Sequence, residues 1–386
     1  MSPPARTYVF AGGGTGGHIY PALGVARVLL EREPHARAIF LVSQRPLDAS
    51  ILARELPGSG GGGAGGGGAM SFQAIPAQPF GVRPPALYRF VTRWGEAVRA
   101  ARGPLREARS AGPVVLAAFG GFVAAPCVQA ARVERVPAVL VNLDAVPGKA
   151  NRWIARHVRR VVTAARLAPG HERPAWEQVP PIVRAQAIAR EPAGACRGAF
   201  GLDPDRPTLL VTGGSQGAGS INRFLGALSE LPEFPLRAWQ VIHQTGAGGV
   251  EAVRVAYERG GVRAWVGEFL PDMARAWGAA DLAICRAGAG NVGEAWANRV
   301  PCVFMPYPYH RDKHQAFNAS PLVAAGGALL AEDAIEPQAN VRRHADTLRG
   351  LLGDTARAGA MRRALGTLGP ADGADRVAGV LAGAMS

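Results

Sequence analysis

Three clusters of residues have the types and spacing needed for chemistry on phosphorylated substrates. In the first, Gly12, Gly14 and Gly17 match GxGxxG and are followed by His18 and Pro21. Glycines so placed let the chain turn sharply and bring amide N–H groups and a helix N-terminus against phosphate oxygens. His18 adds an imidazole whose pKa near neutrality suits a general base, although a histidine here could equally be a helix-capping residue that only shapes the turn. The second cluster runs from Gly213 to Ala218 and includes Ser215, with Asn222 beyond it. The third runs from Arg286 through Ala289, Gly290, Asn291, Val292 and Gly293 to Glu294, with Pro301, Pro306, Asp312, His314, Gln315 and Asn318 following. A carboxylate such as Glu294 can accept hydrogen bonds from both hydroxyls of a ribose; alternatively it is a solvated first-turn residue that favours the helix dipole.

Other chemistries are less well served. A dinucleotide-binding dehydrogenase would need an acidic residue at the end of the second strand, where residues 42–45 read Val, Ser, Gln, Arg. Arg45 would suit a dinucleotide 2′-phosphate, so hydride transfer stays a rival. Asp203-Pro204-Asp205 has the form of a metal-binding DxD, but it precedes a strand and carries a proline, and so reads as a turn. His310 and His314, four residues apart, could share a helical face as a metal pair. Cys127, Cys196, Cys285 and Cys302 are far apart and form no CxxC, which predicts neither a zinc site nor a disulfide framework.

The elements that must position these clusters follow one grammar. Residues 7–10 read as a strand, 12–17 as a glycine turn, 21–33 as a helix and 38–42 as a second strand, a βαβ unit of a parallel sheet. The pattern recurs with a strand at 208–212, a turn at 213–217, a helix at 220–228 and a strand at 238–243. A Pro- and Arg-rich stretch, 169–205, is the expected connection between a first domain, 1–168, and a second, 206–371. Residues 58–68, almost pure glycine, read as a surface loop.

Composition agrees with a globular α/β protein. The 386 residues are 48% apolar and 19% charged, which excludes global disorder and suggests two or three domains. Lys and Arg outnumber Asp and Glu by 43 to 29, a formal charge of +14. That excess attracts nucleic acid, an anionic membrane or phosphorylated small molecules, and it is also what an Arg-rich, Ala- and Gly-rich composition produces by itself. The N-terminal residues lack the features of a secretory signal, and no apolar run is long enough to predict a spanning helix. A reducing, cytoplasmic setting is the expectation.

In their order and spacing, the stretches GGGTGGHIYPALGVA, FGGFVAAP, PGKANRW, GGSQGAGSIN and CRAGAGNVGEAWANRVPCVFMPYPYHRDKHQAFNA resemble the MurG family over nearly the whole chain. These bacterial transferases add N-acetylglucosamine to undecaprenyl-pyrophosphoryl-N-acetylmuramyl-pentapeptide in peptidoglycan synthesis. The resemblance implies a GT-B fold, with two Rossmann-like lobes around a central cleft and a C-terminal helix, here 372–385, crossing back to the first lobe. It implies no tightly bound cofactor, no metal site and no nucleic-acid partner. Donor and acceptor would be UDP-N-acetylglucosamine and the lipid-linked muramyl-pentapeptide, met at the cytoplasmic face of the membrane by a peripheral enzyme.

By the same resemblance, Thr15, Gly16 and Gly17 face the acceptor pyrophosphate and the donor's reacting end, and His18 is the catalytic base. Ser215 contacts the donor pyrophosphate, Leu270 meets uracil through its backbone, and the turn from Ala289 to Glu294 holds phosphates and ribose. Glu294 thus joins His18 in the catalytic set. Gln315 binds the sugar hydroxyls, and Arg184 matches a donor-site arginine within more divergent surroundings. The chain departs from the family pattern where Asn142-Leu143-Asp144 replaces Glu-Gln-Asn, which puts a carboxylate, Asp144, where the donor-binding side-chain amide would be. Asn291 and Gly293 stand where Thr and Ser are common, and the polyglycine loop replaces more regular sequence. Within 80–94, Leu87, Phe90, Val91 and Trp94 follow helical spacing beside Arg83, Arg89 and Arg93, which fits either an anionic membrane surface or an ordinary core-facing helix. The rival functions are a related transferase with another lipid or small-molecule acceptor, and a non-catalytic scaffold that binds nucleotide sugars.

Overall fold

A computed structural model describes residues 5–56, 69–81, 83–214, 217–232 and 234–385. The polyglycine stretch 58–68, Ser215 and the side chain of Leu87 lie outside the described residues. The chain divides into two compact units, Met1–Arg184 with Asp372–Ser386, and Ala185–Ala371. The division falls inside the Pro- and Arg-rich stretch.

The first unit contains strands β1 (Thr7–Gly12), β2 (Arg37–Ser43), β3 (Met70–Ile75), β4 (Val114–Gly120), β5 (Ala138–Asn142), β6 (Arg160–Thr163) and β7 (Glu177–Gln178). Its helices are α1 (Gly16–Arg32), α2 (Pro46–Glu55), α3 (Pro84–Ala111), α4 (Gly121–Val133) and α5 (Lys149–Ile154). The second unit contains α6 (Ala193–Gly198), β8 (Thr208–Thr212), α7 (Gly219–Ser229), β9 (Gln240–Gln244), α8 (Val250–Arg259), β10 (Arg263–Gly267), α9 (Met273–Ala279) and β11 (Leu282–Cys285). It continues with α10 (Ala289–Asn298), β12 (Cys302–Phe304), α11 (His314–Ala324), β13 (Ala328–Leu330), α12 (Pro337–Gly353) and α13 (Thr355–Gly366), after which α14 (Gly373–Gly383) belongs to the first unit.

Both sheets are parallel, ordered β3-β2-β1-β4-β5-β6-β7 and β10-β9-β8-β11-β12-β13. β1, β4 and β8 are buried along their full length, the mark of strands covered on both faces by helices. Chain direction across each sheet reverses beside β1 and β8, and the crevice at the carboxyl ends of such strands is where α/β sheets bind ligands. All three glycine clusters fall at those ends.

The C-terminal helix α14 packs on α1, tied by an Arg32–Asp375 ion pair at 2.6 Å and an antiparallel bridge between Ile182 and Asp372. The strand expected at 238–243 starts later, because Pro235 preorganises a 3₁₀ turn over Pro235–Ala238 before β9 begins. Asp203-Pro204-Asp205 is a turn in which the Asp205 N–H donates to Asp203 Oδ1 at 3.0 Å.

The stripe expected on α3 divides between two faces. Trp94 stacks edge-on against Trp153 and continues inward through Ala97, Ala101, Leu105 and Ala108, so it belongs to the core. Phe90 is half-buried and bridges Phe80 and Trp94. Val91, Tyr88 and Phe80 are 62%, 71% and 52% exposed.

A buried polar chain braces the second unit: His243 pairs through Nδ1 with the Tyr257 hydroxyl at 2.8 Å and through Nε2 with Asn222 Oδ1 at 3.1 Å. Burial pushes the His243 pKa down to about 3. The unfolded chain therefore binds a proton that the folded chain refuses, so stability is complete above the unfolded value near 6.5 and falls as pH drops toward 3. Urea unfolding of this unit should lose about 2 kcal/mol between about pH 6.5 and 5, a loss that His243→Gln should abolish.

Candidate active site

In the first unit β1 ends at Gly12, and the chain turns through Gly13 to Thr15 into α1. Thr15 is the N-cap but makes no side-chain cap bond, and His18 lies inside the first turn rather than at the cap. The Gly14 N–H is taken by Asp48 and the His18 N–H by the Thr15 carbonyl at 3.3 Å, but the amides of Gly16 and Gly17 open the helix ahead of any intrahelical acceptor, and Gly17 is exposed, an arrangement suited to an anion. The Thr15 hydroxyl lies 3.3 Å from His18 Nδ1. The turn after β4 closes over the ring from the other side. A Cβ on Gly121, whose φ is +76°, would fall 2.7 Å from the Gly13 oxygen and 3.3 Å from His18 Nδ1, so only glycine fits there.

Burial pushes the His18 pKa below the ordinary histidine value, against the opposing pull of the Asp144 charge, the Gly13 backbone and the Asp48 charge. A neutral ring at neutral pH can accept a proton. Asp144 follows β5, where the buried Asn142 donates to the Asp144 carbonyl at 2.8 Å and to the Thr163 hydroxyl at 3.0 Å, while accepting from Asn151 at 3.0 Å. Asn142 is thus a structural hub, and Asp144 brings the carboxylate toward His18.

Arg45, the residue that kept a dinucleotide in play, donates to the Gly14 carbonyl at 3.0 Å and lies 5.0 Å from the centre of the Phe122 ring, committed to its own loop. Arg184 sits within the first unit, 3.2 Å from Glu55 and 4.0 Å from the Tyr20 ring centre, and Arg27 shares the same carboxylate at 2.9 Å.

In the second unit β11 ends at Cys285, the turn 286–288 follows, and Gly288 caps α10 without a side chain. Ala289 and Gly290 open that helix with Gly290 exposed, whereas Asn291, Val292 and Gly293 are buried. The Asn291 amide donates back to the Arg286 carbonyl at 2.9 Å, and Asn318 donates to the Ala287 carbonyl at 3.3 Å, so the turn is held from two sides. Glu294 is half-buried, not a solvated first-turn residue, and its Oε2 accepts from the Trp277 indole N–H at 2.8 Å. Gln315 Oε1 accepts from the Tyr307 N–H at 2.9 Å, which orients its amide nitrogen. Leu270 is half-buried against the core just ahead of the α9 N-cap, Asp272.

Arg286 anchors this turn. Its guanidinium pairs with Asp333 at 2.8 Å, donates to Ser220 Oγ at 2.8 Å and to the Met305 carbonyl at 2.9 Å, and Asp333 in turn receives the Ser220 hydroxyl at 2.5 Å and Asn340 at 2.9 Å. Sequence reading placed Arg286 in the motif but missed Asp333, to which no local spacing points. It also missed Asp48, for which a signal exists: Pro46 and an acid two residues on mark a helix N-terminus. His314 pairs with Asp312 at 2.8 Å and its ring centre lies 4.5 Å from that of His310. Among the described residues no group of three or more His, Cys, Asp or Glu is arranged to hold a metal ion.

Comparisons with known proteins match this architecture half by half. Residues 8–163 match the glycosyltransferase family 28 N-terminal domain and residues 208–364 the glycosyltransferase family 28 C-terminal domain. A Nocardioides sp. protein described as UDP-N-acetylglucosamine--N-acetylmuramyl-(pentapeptide) pyrophosphoryl-undecaprenol N-acetylglucosamine transferase is 35% identical over 97% of this chain and 96% of its own. A protein of the same description from Alkalilimnicola ehrlichii is 38% identical over 95% of each. The crystal structure of Acinetobacter baumannii MurG superposes with a TM-score of 0.71 at 25% identity, covering 98% of this chain and 99% of that one. CalG4, the calicheamicin glycosyltransferase, shares the fold alone, at TM-score 0.61 and 17% identity over 99% of this chain and 98% of its own. With its two parallel Rossmann-like units and this likeness along the full chain, the protein has a GT-B fold and belongs to the MurG family of glycosyltransferases.

Proposed function

We propose that the protein transfers N-acetylglucosamine from UDP-N-acetylglucosamine to undecaprenyl-pyrophosphoryl-N-acetylmuramyl-pentapeptide, with inversion at the anomeric carbon and formation of a β-1,4 linkage. The observation that carries this reading is the pairing of two different sites in one chain: an anion-accepting turn with a low-pKa histidine in the first unit, and a braced nucleotide-type turn with Glu294 in the second. The acceptor hydroxyl attacks the anomeric carbon, the bond to UDP breaks, and His18 takes the hydroxyl proton. Amides of Thr15, Gly16 and Gly17 receive the acceptor pyrophosphate. Ser215 and the α10 amides stabilise the charge on departing UDP, without a metal or other cofactor. The Leu270 backbone meets the uracil, Glu294 grips the ribose diol, Gln315 orients the sugar, and Arg184 completes the donor set.

Asp144 favours one further reading, a related transferase acting on another lipid or small-molecule acceptor, since a carboxylate there repels pyrophosphate. Incubation with labelled UDP-N-acetylglucosamine and a short-chain muramyl-pentapeptide lipid analogue should yield disaccharide product. Transfer only to a different acceptor would overturn the peptidoglycan assignment, and donor binding without transfer to any acceptor would identify a scaffold.

A lipid-linked acceptor also requires approach to the cytoplasmic face of the membrane. No helix among the described residues is long and apolar enough to cross a membrane. The docking surface we propose is exposed Phe80, Tyr88 and Val91 with exposed Arg83, Arg89 and Arg93, alongside Lys149, whose ammonium lies 5.7 Å from the Phe80 ring centre. At about 1 kcal/mol per basic residue near an anionic surface, changing the three arginines to Glu should weaken flotation with anionic vesicles by about 100-fold or more. Undiminished flotation would remove this surface from the proposal.

A further inference from the structure

The transfer mechanism leaves one fully buried carboxylate of the first unit unused. Asp48, 0% exposed, sits in the first turn of α2 and takes the Gly14 N–H on both oxygens, at 3.0 and 2.7 Å. Its Oδ2 also accepts from the Ser43 N–H at 3.1 Å and the Ser43 hydroxyl at 2.6 Å. The fit is tight, since a Cβ on Gly13 would lie 2.4 Å from that oxygen.

The Gly14 N–H and the Gly13 carbonyl belong to one peptide group. Asp48 holds the nitrogen end, and the oxygen end lies on the His18 side of the turn, where a Cβ on Gly121 would meet both the Gly13 oxygen at 2.7 Å and His18 Nδ1 at 3.3 Å, and where that backbone group favours the protonated ring. A carboxylate on the N–H side pushes electron density toward the carbonyl and makes it a stronger acceptor. A ring nitrogen that donates to a fixed carbonyl must carry the proton, so the other nitrogen is left as the base. The charged groups around this assembly are Asp48 from α2, Asp144 after β5, and Arg45 on the Gly14 carbonyl.

We infer that Asp48 is a positioning residue for His18, whose carboxylate, acting through the Gly13–Gly14 peptide, selects the ring tautomer and steadies the imidazolium that forms during transfer. The inference rests on the reading of His18 as the base. In the step itself the acceptor proton moves to the free ring nitrogen, Asp48 stays ionised, and no proton crosses the peptide.

The test begins with the full-length wild-type protein carrying isotope-labelled histidine and glycine. Nuclear magnetic resonance should find one His18 tautomer at neutral pH and a Gly14 amide whose shift follows the His18 titration with the same midpoint. A Gly14 amide that ignores that titration overturns the inference, and this readout needs neither a variant nor turnover. In Asp48→Asn, kcat should fall by about 10- to 100-fold while the donor KM stays within about twofold. Loss of the negative charge disfavours imidazolium, so the acid limb of kcat/KM should move to lower pH. Asp48→Glu keeps the charge and should hold that limb near wild type. An Asp48→Asn protein with unmoved limb and unchanged tautomer would sink the idea. If wild-type protein transfers sugar to no acceptor, the functional reading fails, and the tautomer and co-titration data still decide the role of Asp48.

Discussion

Replacing His18 by Ala is expected to lower kcat by about 10²- to 10⁴-fold, the usual contribution of a positioned general base, while donor affinity changes little. The separation of effects follows from placement. His18 lies in the first turn of α1 in the first unit, whereas Leu270, Glu294 and Gln315, three of the residues assigned to the donor, belong to the second unit. His18→Gln keeps a polar group beside the Thr15 hydroxyl but cannot accept the proton, so it should behave like Ala. With the ring pKa held below the ordinary histidine value by burial, kcat/KM should stay level from neutrality into mildly acid pH before it falls. Steady-state kinetics with donor and acceptor varied separately, together with calorimetric donor titration, checks both halves. Unchanged turnover in His18→Ala would leave the histidine only a part in shaping the loop.

The scaffold around His18 was legible in the sequence because it is written locally. An apolar strand, a glycine run and a helix-forming stretch fit within about thirty residues, and the grammar repeats after residue 206. The partners that tune the site were not legible, for two physical reasons. Asp48 and Asp333 act across 34 and 113 residues on Gly14 and Ser220, and nothing in a linear pattern pairs them. Side-chain direction is also lost in a short window. The stripe at 87–94 matched helical spacing, yet only its continuation through Ala97 and Ala101 reveals that Trp94 faces inward and Val91 outward. Glu294 and Gln315, read from motif type, are each held by a neighbouring group, the Trp277 indole and the Tyr307 N–H.

Arg286→Leu should destabilise the second unit by about 3–5 kcal/mol, because it strands Asp333, whose side chain is fully buried, without its cation. The double variant Arg286→Leu, Asp333→Leu should recover much of that loss, since the cost lies in the unpaired charge more than in the absent pair. In the wild-type protein burial raises the Asp333 pKa, but hydrogen bonds from Ser220, Asn340, the Ile335 N–H and Arg286 outweigh it and hold the carboxyl below its ordinary value. Its contribution is therefore present above the unfolded carboxyl value and is lost as pH falls through the folded one. Without Arg286 one of the interactions that favour the ionised carboxyl is gone and burial weighs more heavily, so the folded carboxyl should rise from its wild-type position. The penalty of Arg286→Leu should therefore be largest near neutrality and shrink as acid protonates Asp333. Urea unfolding of single and double variants at neutral and mildly acid pH measures this directly. Because the Arg286 carbonyl anchors Asn291 at the head of α10, the single variant should also raise the donor KM, whereas a destabilised protein with unaltered donor binding would show the network to be structural alone.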